Sequence, residues 1–221
     1  MTTNIIETEL DIYIWFQQLN DKINLWITDP PYPFNNKNGT GRFSYKDGND
    51  DMYTRLDWPG LSLVFKEMYD ASSEGSRAYI FANKDGLIET INRLKSVGWI
   101  HRNILVWDKQ HFGGGYHWRN QIEYIVYVSK GKPKVYVKGV GNKFNYKRPT
   151  KSSVNLAIGY NPIGASCKPL EIWRDIITYG AADDDVIADP FAGSNPMKAA
   201  LMMNNNLSNK IKTAYTNALK I

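Results

Sequence analysis

The run Ile23–Thr28, INLWIT, is followed at once by Asp29, Pro30, Pro31 and Tyr32. Its β-branched and aromatic content marks a buried strand. The consecutive prolines remove their backbone donors and fix their φ angles, so no sheet ladder continues through them. The strand therefore ends with a carboxylate and an aromatic ring at its mouth. A second apolar run, DVIAD at 185–189, stops in the same way at Pro190 and then turns through Phe191, Ala192, Gly193, Ser194 and Asn195. Around these stops, strand-like and helix-like runs alternate. That alternation selects an α/β fold, a mostly parallel sheet with helices on its faces.

The other elements follow from periodicity. Residues 4–7 read as a short first strand and 10–19 as a helix. Further strands fall at 77–82 (RAYIFA), 103–107 (NILVW) and 122–128 (IEYIVYV), the last two separated by the glycine-rich turn HFGGGYHWRN. Helices fall at 60–72, where Leu61, Val64, Phe65 and Met68 share a face, at 84–98, where Leu87, Ile91 and Leu94 do, at 169–179 and from 197. Residues 35–50, rich in Asn, Gly and Asp, form a long loop of the kind that usually carries function. KIKTAYT, near the end, alternates like a strand. In open sheets of this class, ligands bind outside the carboxyl ends of the strands, where both proline stops lie.

Charge is concentrated. Residues 129–151 hold eight Lys or Arg and no acid, and subtracting these from the net +5 leaves the remainder at −3. Tyr136, Phe144 and Tyr146 are interleaved with them. Cations track phosphates and aromatics stack on bases, so the block reads as a nucleic-acid contact, against the plainer reading of a solvated lysine-rich loop. The single cysteine, Cys167, excludes an internal disulfide and a cysteine-built zinc cluster. No signal peptide or long apolar span is visible, so the expected location is cytoplasmic, with no membrane partner.

The two stops suit different tasks. Asp29 and the Pro30 carbonyl form a small acceptor pair that fits the two N–H donors of an exocyclic amine on a nucleobase. Pro31 holds the turn, and Tyr32 offers a face on which the base can stack. At the second stop, Gly193 lets the backbone approach a ligand at a helix start. Neither P-loop nor full dinucleotide fingerprint is present.

Taken together, DPPY at 29–32 and DPFAGS at 189–194 resemble the amino-methyltransferases that modify exocyclic amines of DNA bases, in the circular order of the beta class. LVWDK (105–109), GGGYHWRNQIEYIVYVSKGKP (113–133) and CKPLEIWRDII (167–177) extend the resemblance from about residue 4 to about residue 204. It implies a Rossmann-like S-adenosylmethionine-dependent methyltransferase fold over 1–221, with one antiparallel strand and a small basic target-recognition insertion around 129–165. It assigns catalysis to Asp29, Pro30, Pro31 and Tyr32. It assigns S-adenosylmethionine binding to Asp189, Pro190, Phe191, Ala192, Gly193, Ser194 and Asn195, with Lys168 and Asp29. Phosphate contacts fall to His117, Arg119, Lys130, Lys132, Lys134, Lys138, Lys143, Lys147 and Arg148. Asp before the prolines favours adenine N6 over cytosine N4. The implied partner is DNA. An RNA substrate, a non-catalytic nucleic-acid-binding relative or inert subunit of a methyltransferase complex, and a homodimer stay open, and no metal is expected.

The chain departs from the family pattern in two places. Asn195 and Pro196 stand where the family reads Gly and then Thr. Asn tolerates left-handed backbone angles, and Pro suits a first helical turn. Family members also end a late strand in an acid that grips the cofactor's ribose. Here no acid follows Asp189, and Asn217 offers only a neutral partner. The expected penalty is about 1–2 kcal/mol of cofactor affinity.

Overall fold

The computed structural model describes residues 12–31, 56–114, 116–150, 167–183, 185–193 and 195–203, and the backbone of a strand at 212–215. The expected strand at 4–7 and loop at 35–50, together with Tyr32 and Ser194, lie outside the described residues.

The chain order is α1 (Ile12–Gln17), β1 (Ile23–Thr28), α2 (Trp58–Ala71), β2 (Ser72–Ala82), α3 (Leu87–Ser96), β3 (Ile100–Asp108), β4 (Ile122–Ser129), β5 (Lys143–Asn145), α4 (Leu170–Gly180), β6 (Val186–Asp189), α5 (Pro196–Met202) and β7 (Lys212–Tyr215). The strands form one sheet in the order β5-β3-β4-β2-β1-β6-β7. Among the described strands only β4 runs against its neighbours, pairing antiparallel with β2 and β3; the β1–β2, β1–β6, β6–β7 and β3–β5 pairs are parallel. The expected mostly parallel sheet with one antiparallel strand is what forms.

Alternate strand residues feed two cores. On one face, Trp26, Ala78, Ile80, Val126 and Ala188 pack against Trp15 and Phe16 of α1, Val64, Phe65 and Met68 of α2 and Leu94 of α3. On the other, Leu25, Ile27, Phe81, Ile125 and Ile187 pack against Ile172, Trp173 and Ile176 of α4 and Met197 and Leu201 of α5. The result is three layers. Emptying one of these sites, as in Trp26→Ala, costs about 3–5 kcal/mol.

Polar residues set the element ends. Asp57 caps α2 by accepting from Gly60 N (2.8 Å), with Pro59 in the first turn. Asn83 Oδ1 accepts from Gly86 N (2.7 Å) ahead of α3, and Gly98 at φ +110° follows it. β2 starts at Ser72, ahead of the RAYIFA run, because its polar residues find partners: Ser72 Oγ accepts from Trp26 Nε1 (2.8 Å) and Ser76 Oγ donates to Ile23 O (2.7 Å). Arg77 is buried at the same edge, held by Asp185 (2.8 Å) and the Asn24 carbonyl (3.1 Å). β5 is a short edge strand inside the basic block, buried only at Phe144.

Candidate active site

The strand order reverses between β1 and β6. The chain goes from β1 to β2 on one side, and β6 pairs on the other, with Leu25 opposite Ile187 and Trp26 opposite Ala188. That register carries the two strand ends to the same place, and residues 161 apart in sequence meet there. Thr28 Oγ1 donates to Asp189 Oδ1 at 2.6 Å, and both residues are fully buried. Phe191 N donates to the same oxygen at 3.0 Å.

Burial pushes the Asp189 carboxyl up to about 7; the bonds from Thr28 and Phe191 oppose this, and the charge of Asp29 adds to it. Asp189 Oδ2 is buried and has no hydrogen-bond partner among the described residues. The turn beyond it is left-handed at Gly193 (φ +51°) and Asn195 (φ +54°) and is closed by Asn195 N donating to Ala192 O (2.7 Å). A Cβ at Gly193 would meet nothing nearer than Phe191 O at 3.9 Å, so it is the left-handed backbone angle, not lack of space, that favours glycine there. Asn195 adopts the conformation expected of it and caps α5, accepting from Lys198 N at 3.2 Å, with Pro196 in the first turn.

Asp29 is the first residue beyond β1. Its Oδ2 lies 2.8 Å from Lys168 Nζ, which also lies 3.2 Å from Glu123 Oε2. Glu123 Oε1 is 2.7 Å from Lys109 Nζ. The Lys168 ammonium is 5.5 Å from the Phe81 ring, and Phe81 stacks at 5.7 Å on Trp173. Burial alone would lower the Lys168 pKa, but Asp29 and then Glu123 outweigh it and the pKa is raised. For Glu123, burial raises the pKa and the Lys168 and Lys109 charges overcome it, leaving it lowered. The charges therefore alternate in one row: Lys109, Glu123, Lys168, Asp29. Sequence reasoning missed Glu123, Lys109 and Thr28. A visible signal was the acid in the otherwise apolar strand IEYIVYV.

The basic residues divide between the two edges of the sheet. Because β4 runs downward, Ser129 pairs with Arg77 of β2 and with Ile100, the first residue of β3, at the amino edge. Lys130, just beyond, donates to Tyr69 O (2.8 Å) and Ser72 O (3.0 Å), so it caps the end of α2. Lys132 and Lys134 are exposed nearby, Lys134 N donating to Gly75 O at 3.3 Å. Lys138 is exposed in the segment that leads to β5. β5 runs parallel to β3 and pairs Asn145 with Asp108, which brings the chain back to the carboxyl edge. Lys143, Lys147 and Arg148, all exposed, follow that course, and Lys143 pairs with Asp108 at 3.0 Å. His117 and Arg119, also exposed, sit in the β3–β4 connection at this edge.

Among the described residues, no group of acids, His and Cys is placed to hold a metal ion, and no helix is long and apolar enough to cross a membrane.

Comparison with known proteins bears on this arrangement. No curated protein sequence matches the chain. Among solved structures, M1.HpyAVI in its complex with SAM superposes with a TM-score of 0.69 at 17% identity, covering 97% of this chain and 92% of that one. M1.HpyAVI in a second structure gives 0.64 at 19%, covering 98% and 93%. PvuII DNA methyltransferase, described as cytosine-N4-specific, gives 0.65 at 15%, covering 98% and 82%. At these identities the likeness establishes the fold. The family model described as DNA methylase, of the N6/N4 methyltransferases, matches residues 23–208, most of the sequence and both strand ends. The chain therefore belongs to the N6-adenine/N4-cytosine DNA methylase family.

Proposed function

We propose that the chain methylates the exocyclic N6 of adenine in DNA, with S-adenosylmethionine as cofactor. The observation that carries this reading is the placement of Asp29 at the mouth of β1, paired with buried Lys168 and beside the turn of Asp189. The residues fit the cofactor. The buried, unpartnered Asp189 Oδ2 is an acceptor awaiting a donor, and Gly193 leaves the turn open to an approaching group. Phe191, Ala192 and Asn195 frame the same turn, and Lys168 closes the side toward Asp29. When bound, S-adenosylmethionine supplies an electrophilic methyl on a sulfonium and leaves as a neutral thioether.

The chain's own work is on the amine. The N6 lone pair of adenine is delocalised into the ring, which makes it a poor nucleophile. Hydrogen bonds from its two protons to Asp29 and to the Pro30 carbonyl localise that pair on nitrogen. The prolines fix the carbonyl, so little reorganisation is needed as charge develops. Positioning then supplies much of the rate. The amine gains a methyl and sheds one proton, which Asp29, hydrogen-bonded to the amine in this reading, would accept. Inside a duplex the amine is stacked and paired, so the base is flipped out or the strand is single. Tyr32 replaces the lost stacking.

Asp rather than Ser ahead of the two prolines supports adenine over cytosine, by family resemblance. The test is transfer of labelled methyl to unmethylated DNA, followed by nucleoside analysis. N6-methyladenine formed by the wild-type chain and lost in Asp29→Ala is the expected result. N4-methylcytosine would reverse the base assignment, and equal activity in the variant would remove Asp29 from the chemistry.

A further inference from the structure

The connection between β3 and β4 is a braced projection. Beyond the strands its arms stay paired: Lys109 N donates to Gln121 O (3.0 Å), Gly113 N to Asn120 O (2.6 Å) and Asn120 N to Gly114 O (3.1 Å). Arg119 ties the arms together, donating from Nε to Gly113 O (2.9 Å) and from Nη2 to Phe112 O (3.3 Å). Asp108 holds the root, accepting from Gln110 N and Gln121 Nε2, each at 2.9 Å.

The outer end carries Tyr116 and Trp118, with relative exposures of 107% and 87%, and the His117 ring lies edge-on to the indole at 5.0 Å. A large apolar ring fully presented to water on a fixed support adds nothing to the core. Such residues mark contact surfaces. The projection rises at the carboxyl edge of the sheet, and its root is linked to Asp29 through Lys109, Glu123 and Lys168. Strand β4 is two places from β1, about 10 Å across the sheet, which is comparable to the width of a major groove. Lys143, Lys147 and Arg148 are exposed along β5 and just beyond it, toward the same edge of the sheet, so that edge suits a polyanion.

We propose that Trp118 is a wedge that enters the base stack of duplex DNA and fills the place of the flipped target, with Tyr116 beside it. The proposal rests on the reading of the site as a base methyltransferase. Extruding a base breaks its stacking on both sides. An apolar side chain inserted at that step offsets the loss and holds the duplex open. Trp118 is thus a positioning residue. Arg119, by bracing the projection, supports the wedge in addition to any contact with phosphate.

The test compares wild type, Trp118→Ala and Trp118→Phe, each as the full chain with S-adenosylmethionine, on long unmethylated duplex DNA and on the same DNA heat-denatured. Trp118→Ala is expected to slow duplex methylation about tenfold or more and to leave denatured DNA within about twofold, because a single strand needs no wedge. Trp118→Phe restores most of the duplex rate. A second readout needs no methyl transfer: thymines left unpaired opposite flipped adenines become reactive to permanganate. Wild type and Trp118→Phe should mark them, and Trp118→Ala should not. Marked thymines without methylation would sink the methyl-transfer reading and leave the wedge standing. The wedge is overturned if wild type marks no thymines, or if Trp118→Ala keeps the wild-type ratio of duplex to denatured activity. It is also overturned if Trp118→Ala only converts a dimer to a monomer in sedimentation, since the tip would then be a self-association surface.

Discussion

Lys168 Nζ lies 2.8 Å from Asp29 Oδ2 with its own side chain 4% exposed, and Glu123 stands on its other side at 3.2 Å. One buried cation thus separates two carboxylates and fixes the one at the mouth of β1. Removing it leaves Asp29 and Glu123 with an uncompensated negative charge. Lys168→Met is therefore expected to cost about 3–5 kcal/mol in urea unfolding and to lower the methylation rate about a hundredfold through a misplaced Asp29. Adding Glu123→Gln should recover part of the stability and little of the rate. Recovery of both by the double variant would show that the row of charges serves folding alone.

Asp189 predicts a pH dependence. Its carboxyl is pushed up to about 7 by burial, above the ordinary 3.8. The folded chain therefore holds this proton more tightly than the unfolded one. The stability tied to it is whole below the unfolded value and is lost as pH rises through about 7. Asp189→Asn keeps the shape and removes the titration. The ligand-free variant should be more stable than wild type at about pH 8, and the difference should shrink toward about pH 5. Urea midpoints across that range check it; a difference independent of pH would place the titration elsewhere.

The parts of the fold that were legible were those whose signal is local. The runs at 23–28 and 185–189 are apolar and end at prolines, and both form strands there. Leu61, Val64, Phe65 and Met68 announce α2 by spacing, and all four are buried. β5 was not legible because one buried residue, Phe144, gives no alternation. The start of β2 was hidden because Ser72 to Ser76 look like a loop until their partners on β1 are known. At the site, the motifs named Asp29, Asp189 and Lys168, but not what holds them. Glu123 reaches Lys168 only because β4 runs antiparallel. The same reversal takes Lys130 to the end of α2, which no count of basic residues reveals. Trp118 had a faint signal, a large aromatic in a glycine-rich turn with no periodicity to bury it.

The division of the basic block gives a prediction in salt dependence. Lys147 and Arg148 follow β5 to the carboxyl edge, while Lys132 and Lys134 lie by the start of β2. If DNA is held over the carboxyl edge, only the first pair neutralises phosphates. Replacing Lys147 and Arg148 with Ala should weaken duplex binding and reduce the slope of log affinity against log salt by about 2. Replacing Lys132 and Lys134 should leave that slope unchanged. Fluorescence anisotropy over a salt series reads both, and equal losses would mean that DNA wraps both edges.

The cofactor grip supplies the last prediction. β7 extends the sheet beside β6, with Tyr215 opposite Asp189. Asn217 follows Tyr215 by two residues, near where the family resemblance expects an acid. A neutral amide bonds a ribose hydroxyl less strongly than a carboxylate does, by about 1–2 kcal/mol. Asn217→Asp is therefore expected to tighten S-adenosylmethionine binding about five- to thirtyfold in titration calorimetry, with little change in the methylation rate at saturating cofactor. The split matters, because an acid that only grips ribose acts on affinity and leaves the chemistry proposed for Asp29 untouched. An unchanged dissociation constant, or low micromolar binding by the wild-type chain, would show that another group already fills this role.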